Sequence, residues 1–387
     1  MIRVNVTHLA VAAVAAVSAC RPGPPPDQPP LGQLPTAVTT AEPSWLPFRV
    51  AAGKPVQQDP REVHLTDLRQ LTFDGKAGAA TWSPDGRRLL YEATQPGTSC
   101  SRIDQLDLDT GRIDRLPPGR GWAMGVVFGP RDSSHVLFAF TGAPGPQCVP
   151  PSERYRFDRL VLPTCDIYAL DLPSGDLEPV ISSPAYDGSL ASTPDGAWVV
   201  LTSSRGGDPE LYVARSDGSD LTKITDTPGY DGYAAYSPDG TKIVWLSERL
   251  AAEDIPAFRS QLAKGVVQPA KLSLMMAGAR GQHPQVLVDD GAHNITPTFF
   301  PDSQRVLFAS NRDGVPGQGS PNFELYAVDP DAPATAAGGP PLKRLTYYEG
   351  FDGAPAWSPD GRHVVFTSNR LAEKPGETNL FVAAWKE

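Results

Sequence analysis

One short turn recurs along the chain and constrains its fold more than any other feature. It reads Trp82-Ser83-Pro84-Asp85-Gly86, Thr193-Pro194-Asp195-Gly196, Tyr236-Ser237-Pro238-Asp239-Gly240, Phe300-Pro301-Asp302-Ser303 and Trp357-Ser358-Pro359-Asp360-Gly361, with a degenerate copy at Phe128-Gly129-Pro130-Arg131-Asp132. Proline fixes φ, aspartate bonds its own backbone and glycine permits the exit, so each copy joins two antiparallel strands. An alternating β-branched run follows, as in Lys242 to Leu246 or His363 to Thr367. A third strand (Glu210-Leu211-Tyr212, Glu324-Leu325-Tyr326) and a fourth (Thr222 to Thr225, Lys343 to Thr346) complete the unit. Four antiparallel strands repeated six times predict an all-β fold, a six-bladed β-propeller. The sixth unit reaches Glu387 after three strands, and Leu68-Arg69-Gln70-Leu71-Thr72 matches Leu342-Lys343-Arg344-Leu345-Thr346. The N-terminal strand is therefore expected to complete the last blade and close the ring, which removes exposed sheet edges.

The 42 prolines and 36 glycines among 387 residues then have two sources, the recurring turn and a proline-rich segment before residue 60. Hydrophobic residues at 40% suffice for a core, which excludes wholesale disorder. The net charge of -10, with no basic stripe, argues against nucleic acid as a partner. Residues 1–20 carry Arg3, an Ala/Val-rich run from Leu9 to Val17, and Val17-Ser18-Ala19-Cys20. That run is too short to span a bilayer of ~30 Å and reads as an export signal. The tetrad resembles the lipobox of bacterial lipoproteins, which makes Cys20 the expected lipidated residue. Residues 21–60 read as an extended tether. The expected organisation is thus signal peptide 1–20, tether 21–60 and propeller 61–387.

These repeats resemble the TolB-type, WD-like propeller family, whose hallmark is an aromatic-Ser-Pro-Asp-Gly turn followed by a strand and Ser-X-Arg. The match covers about residues 62–387. With the lipobox, a complete ring without a catalytic motif and an uneven loop face, the expected protein is an exported, lipid-anchored, non-catalytic binding module on the periplasmic side of a bacterial membrane, with the outer membrane expected. The resemblance implies envelope partners such as a peptidoglycan-associated lipoprotein or a Tol-type component. The family's namesake carries an α/β domain before its propeller, whereas here that place holds a lipobox and a tether.

Aligning the blades on the turn exposes a pairing rule. Asp187, Asp231, Asn294 and Asp352 lie five residues before the aromatic position, and Arg205, Arg249, Arg312 and Arg370 follow each by 18 residues. Blade one has Ala77 and Gln95 there, and blade two has Ala123 with Thr141 or Gly142, so the arginine is missing where the acid or amide is missing. The two readings are a ring of carboxylates that collects a cation and a structural clasp at the channel rim. Co-occurrence favours the clasp, since a cation site needs no arginine beside each carboxylate.

Long, unequal insertions between strands two and three place function on one face of the ring. The insertion of blade four, Ala251 to Lys264, reads as a short helix capped by Asp254, with Ile255, Phe258 and Leu262 on one side to pack on the propeller. His293 beside Asn294 is a candidate for a binding rim. One disulfide is expected in an exported chain: Cys148–Cys165 would staple the blade-two insertion and Cys100–Cys148 would tie it to blade one, the first being preferred. No Gly-X-Ser-X-Gly elbow occurs, and the histidines lack metal-ligand spacing, so no catalytic residue, cofactor or metal site is expected. The alternative is a carbohydrate- or peptide-binding protein, or a hydrolase or lyase, that uses the channel mouth.

Overall fold

A computed structural model describes residues 53–75, 77–94, 100–117, 121–129, 134–142, 159–160, 165–267, 269, 271–314, 322–335, 338–374 and 376–387. The expected signal peptide with Cys20, most of the tether and Cys148 lie outside them. Six four-stranded antiparallel units follow one another around a ring, each ordered from its innermost strand outward. The innermost strands are Ala77–Trp82, Ala123–Phe128, Asp187–Ser192, Gly229–Tyr236, Asn294–Phe299 and Asp352–Trp357. In blade six the strand Leu65–Gln70 pairs antiparallel with Asn379–Trp385, from Leu65 opposite Trp385 to Gln70 opposite Phe381, which closes the ring. Lys54–Pro55 adds a fifth strand against Gln70 and Arg69, so β structure begins before the boundary expected at residue 61.

The turn is built alike in each well-formed copy. The N–H of Gly86, Gly196, Gly240 and Gly361 donates to the carbonyl three residues back at 2.8 Å. The hydroxyl of Ser83, Thr193, Ser237 or Ser358 donates to the turn aspartate, whose Oδ1 also accepts the backbone N–H two residues on. The exit residue is left-handed, with φ of +71°, +66°, +70° and +68° at the glycines and +60° at Ser303. A side chain at Gly361 would also place its Cβ 2.8 Å from Pro301 Cβ. Gly361→Ala is therefore expected to cost about 1–2 kcal/mol, read as a lower urea midpoint at unchanged slope. Ser303 tolerates the strained φ because its hydroxyl accepts the Asp239 N–H at 3.0 Å and ties blade five to blade four.

Second and third strands fill the space between blades with apolar side chains. Phe138, Trp245, Phe308, Phe366 and Phe381 are fully buried. Trp82 is buried in the core, its indole N–H donating to the Ala356 carbonyl of blade six at 3.1 Å. The helix Ile255–Leu262 forms where expected, with Phe258 buried in the main core and Leu262 packed against it. Asp254 stands at its N-cap, but in helical φ and ψ and with no side-chain cap bond. Proline in the first turn supplies part of the start signal instead, because it lacks an N–H that would need capping. The blade-four insertion also pairs Val266–Val267 antiparallel with Arg159–Leu160 of the blade-two insertion, a contact between loops distant in sequence.

Two expectations need correction. Cys165 is a free, fully buried thiol within the main core, so the Cys148–Cys165 staple is not made. Cys100 is the disulfide-bonded cysteine, its partner lying outside the described residues. His293 does not stand on an open rim. It is 8% exposed, lies edge-on to Phe323 with ring centroids 6.3 Å apart, and bridges to Leu272 of the preceding blade.

Candidate functional site

The acid–arginine positions meet in all four blades that carry them. Arg205 donates to Asp187 at 2.8 Å, Arg312 to Asn294 at 3.1 Å, and Arg370 to Asp352 at 2.6 Å, while Arg249 and Asp231 are 3.9 Å apart. Antiparallel register explains the meeting, since Asp187 is opposite Ser203, Asn294 opposite Ser310 and Asp352 opposite Ser368, two residues before each arginine. That serine holds the arginine in turn, its Oγ accepting from the backbone or side chain of Arg205, Arg312 and Arg370. The residue between them caps the innermost strand: Ser204 accepts the Tyr186 N–H, Asn311 the His293 N–H and Asn369 the Phe351 N–H. Ser-X-Arg is thus a side-chain lock on the start of the innermost strand in blades three, five and six. The acids and the amide are 0–1% exposed, beneath their arginines.

Arg370 does more than its counterparts. It donates to both oxygens of Glu62 as well as to Asp352, so it joins the segment before the closing strand to the innermost strand of blade six. Burial works against its charge, but the two carboxylates outweigh burial and push its pKa up.

A second repeated lock was not read from the sequence. The first residue of the third strand accepts a hydroxyl from the fourth: Thr225 to Glu210 at 2.5 Å, Thr346 to Glu324 at 2.7 Å and Thr72 to Asn379 at 3.2 Å. The same hydroxyls accept the N–H of Leu211, Leu325 and Leu380. Glu210 and Glu324 are each pushed up to about 7 by burial, helped by Asp231 and Asp352 respectively, against the opposing pull of Lys223 and Arg344. In the unfolded chain both titrate near 4.5, so between these values the folded state holds the extra protons and stability falls as pH rises. Half-buried His363, lowered by desolvation, acts with the opposite sign below 6.5. Melting temperature is therefore expected to rise as pH is lowered from about 8 towards 6.5, and Glu210→Gln with Glu324→Gln to flatten that slope, each carboxyl contributing a little under about 1 kcal/mol over that interval.

The central channel encloses about 540 Å³ and takes lining residues from all six innermost strands. None of the four clasp acids or amides lines it, so it is not a carboxylate ring. Its wall is mainly Ala, Val, Pro and Thr, with Trp122, Met124, Tyr186, Tyr230 and Tyr233, and among the described residues Glu92 is its one acidic residue. Each innermost strand shifts register at a bulge, and in five of them the bulge residue is left-handed: Gly125, Ser189, Tyr233, Thr296 and Ala354. All five line the channel. The shifted backbone reaches sideways in two places, the Gly125 N–H donating to Glu92 at 2.8 Å and the Ala354 N–H to Thr296 at 3.0 Å. The tripeptides Tyr186-Asp187-Gly188 and Tyr230-Asp231-Gly232 are a sequence signal for two of these tyrosines. A side chain at Gly188 or Gly232 would collide with the hydroxyl of Tyr186 or Tyr230 folded over it.

On the insertion face a second cavity of about 570 Å³ lies between blade three and the blade-four helix. Asp208, Glu210, Lys223, Asp226 and Arg259 line it together with Gly206, Gly207, Pro228, Leu262 and Ala263. Lys223 is 3.7 Å from Glu210 and Arg259 3.6 Å from Asp208, so the cleft presents both signs of charge. Among the described residues no group of three His, Cys, Asp or Glu could hold a metal ion, and no helix is long and apolar enough to cross a membrane.

No family model matches the chain. The Tol-Pal system protein TolB of Bordetella pertussis is 25% identical over 150 residues, covering 29% of this chain and 33% of that protein. The Tol-Pal system protein TolB of Alcanivorax borkumensis is 28% identical over 97 residues, covering 25% and 19%. The matched region thus spans a third or less of these curated relatives. Among solved structures, a putative TolB from Agrobacterium tumefaciens superposes with a TM-score of 0.51 at 18% identity, covering 80% of this chain and 91% of that one. The chain shares the propeller fold of that structure, and its matched stretch is similar in sequence to TolB.

Proposed function

We propose that this protein is an exported, lipid-anchored, non-catalytic module of the bacterial cell envelope that docks a protein partner on its insertion face, in the manner of a Tol-Pal component. The observation that carries the reading is the cleft of mixed charge between blade three and the blade-four helix, set on a ring whose repeats are TolB-like. Long insertions build that face, and the helix and the two-stranded pairing of the insertions support it. A polar surface of both signs suits the side chains of a folded partner, where electrostatic complementarity sets specificity and association rate. The clasp carboxylates are bound by arginines, which leaves them poorly suited to acid–base work.

The test uses the purified mature protein and the purified peptidoglycan-associated lipoprotein and Tol-type proteins of the same organism, with binding read by interferometry. Lys223→Glu with Arg259→Glu is expected to weaken binding by about ten-fold or more. Thr241→Lys, in a strand-one to strand-two turn on the opposite face, should leave it unchanged. Binding to none of these proteins, or equal sensitivity to both changes, would overturn the reading.

A further inference from the structure

The channel holds a feature that protein docking on the insertion face does not use. Among the described residues Glu92 is the one acidic residue in its wall, and none of the lining residues is basic. One oxygen of Glu92 accepts the Gly125 N–H at 2.8 Å, and no ion pair to it is found among the described residues. The contrast with Asp187, Asp231 and Asp352 is sharp, since each of those sits against an arginine. A carboxylate in an apolar enclosure is costly unless a proton or a counter-charge accompanies it. Burial accordingly pushes the Glu92 carboxyl up, and no neighbouring cation offsets that effect.

We propose that the central channel is a binding site for a small alkylammonium or arylalkylammonium ion, with Glu92 as its counter-ion. The volume of about 540 Å³ suits an organic molecule of modest size. The alanine, valine and proline wall would cover an apolar body, and Trp122, Tyr186, Tyr230 and Tyr233 add aromatic surface that favours a cation near their rings. A hard metal ion fits this donor set poorly, because calcium or magnesium takes six or more oxygen ligands where the wall offers one carboxylate. The left-handed non-glycine bulge residues Ser189, Tyr233, Thr296 and Ala354 bear on the same cavity, as backbone strain at binding sites commonly does.

Titration calorimetry with three probes of one shape tests this: phenylbutylammonium, neutral phenylbutanol and anionic phenylbutanoate. Saturable binding of the ammonium is expected, with the alcohol and the carboxylate weaker by about ten-fold or more. Glu92→Gln should reduce ammonium affinity to that of the alcohol while its amide carbonyl still accepts the Gly125 N–H, and circular dichroism checks the fold. Ala191→Trp, which fills the channel and keeps the carboxylate, should abolish binding of every probe. No saturable binding of the ammonium, equal binding of the alcohol, or full affinity in Glu92→Gln would overturn the proposal. None of these outcomes alters the expected effect of Lys223→Glu with Arg259→Glu, so the two readings fail separately.

Discussion

Arg370→Ala is expected to destabilise the protein by about 3–5 kcal/mol, read from urea unfolding, because it strands two buried carboxylates at once. Arg370 is 6% exposed, and its partners Glu62 and Asp352 are fully buried. Coulomb attraction between these groups barely offsets their desolvation while the set is complete, so the cost arises from breaking it. Two companions make the expectation specific. Arg370→Met combined with Glu62→Gln and Asp352→Asn should recover most of the loss, because no buried charge then lacks a partner. Arg249→Ala should cost far less, since Arg249 is more exposed and stands 3.9 Å from Asp231. Equal losses for Arg370→Ala and Arg249→Ala would contradict this account of the locks.

Removing residues 53–72 is expected to have the other large effect, conversion of the intact chain's species into larger soluble or insoluble oligomers on size-exclusion chromatography. Leu65 and Leu68, at 1% and 2% exposure, leave the core of blades five and six. Asn379–Trp385 loses its partner strand and becomes an open edge, and the Thr72 hydroxyl no longer caps Leu380. A synthetic peptide of residues 61–73 supplied in trans should restore the elution of the intact chain. A truncated chain that elutes like the intact one with an unchanged urea midpoint would show that closure by this strand is not what holds the ring.

What the sequence made legible was local or periodic. The turn is set by five adjacent residues, so its copies announce the hairpins, and the constant spacing of 18 marks residues that antiparallel register must bring together. Closure was legible because Leu68 to Thr72 repeats a strand found in blade five. The misses depend on neighbours distant in sequence. Glu92 matters because Gly125 of the next blade holds it in the channel wall. His293 is buried by Leu272 and Phe323, which no pattern around residue 293 reveals. Cysteine pairing failed for the same reason, Cys165 being enclosed by core side chains. Asp254 was a sound cap residue by type, but the proline that follows Ile255 made its side-chain bond unnecessary.

Docking of an envelope protein on the insertion face is the central claim, and site-specific photocrosslinking in the native envelope addresses it most directly. A photoreactive residue in place of Ala263, exposed at the cleft, is compared with one in place of Thr241, on the opposite face. The claim predicts a discrete adduct from the Ala263 position, identified by mass spectrometry as a Tol-type protein or a peptidoglycan-associated lipoprotein, and none from the Thr241 position. No adduct from Ala263, or the same adduct from both positions, would contradict it.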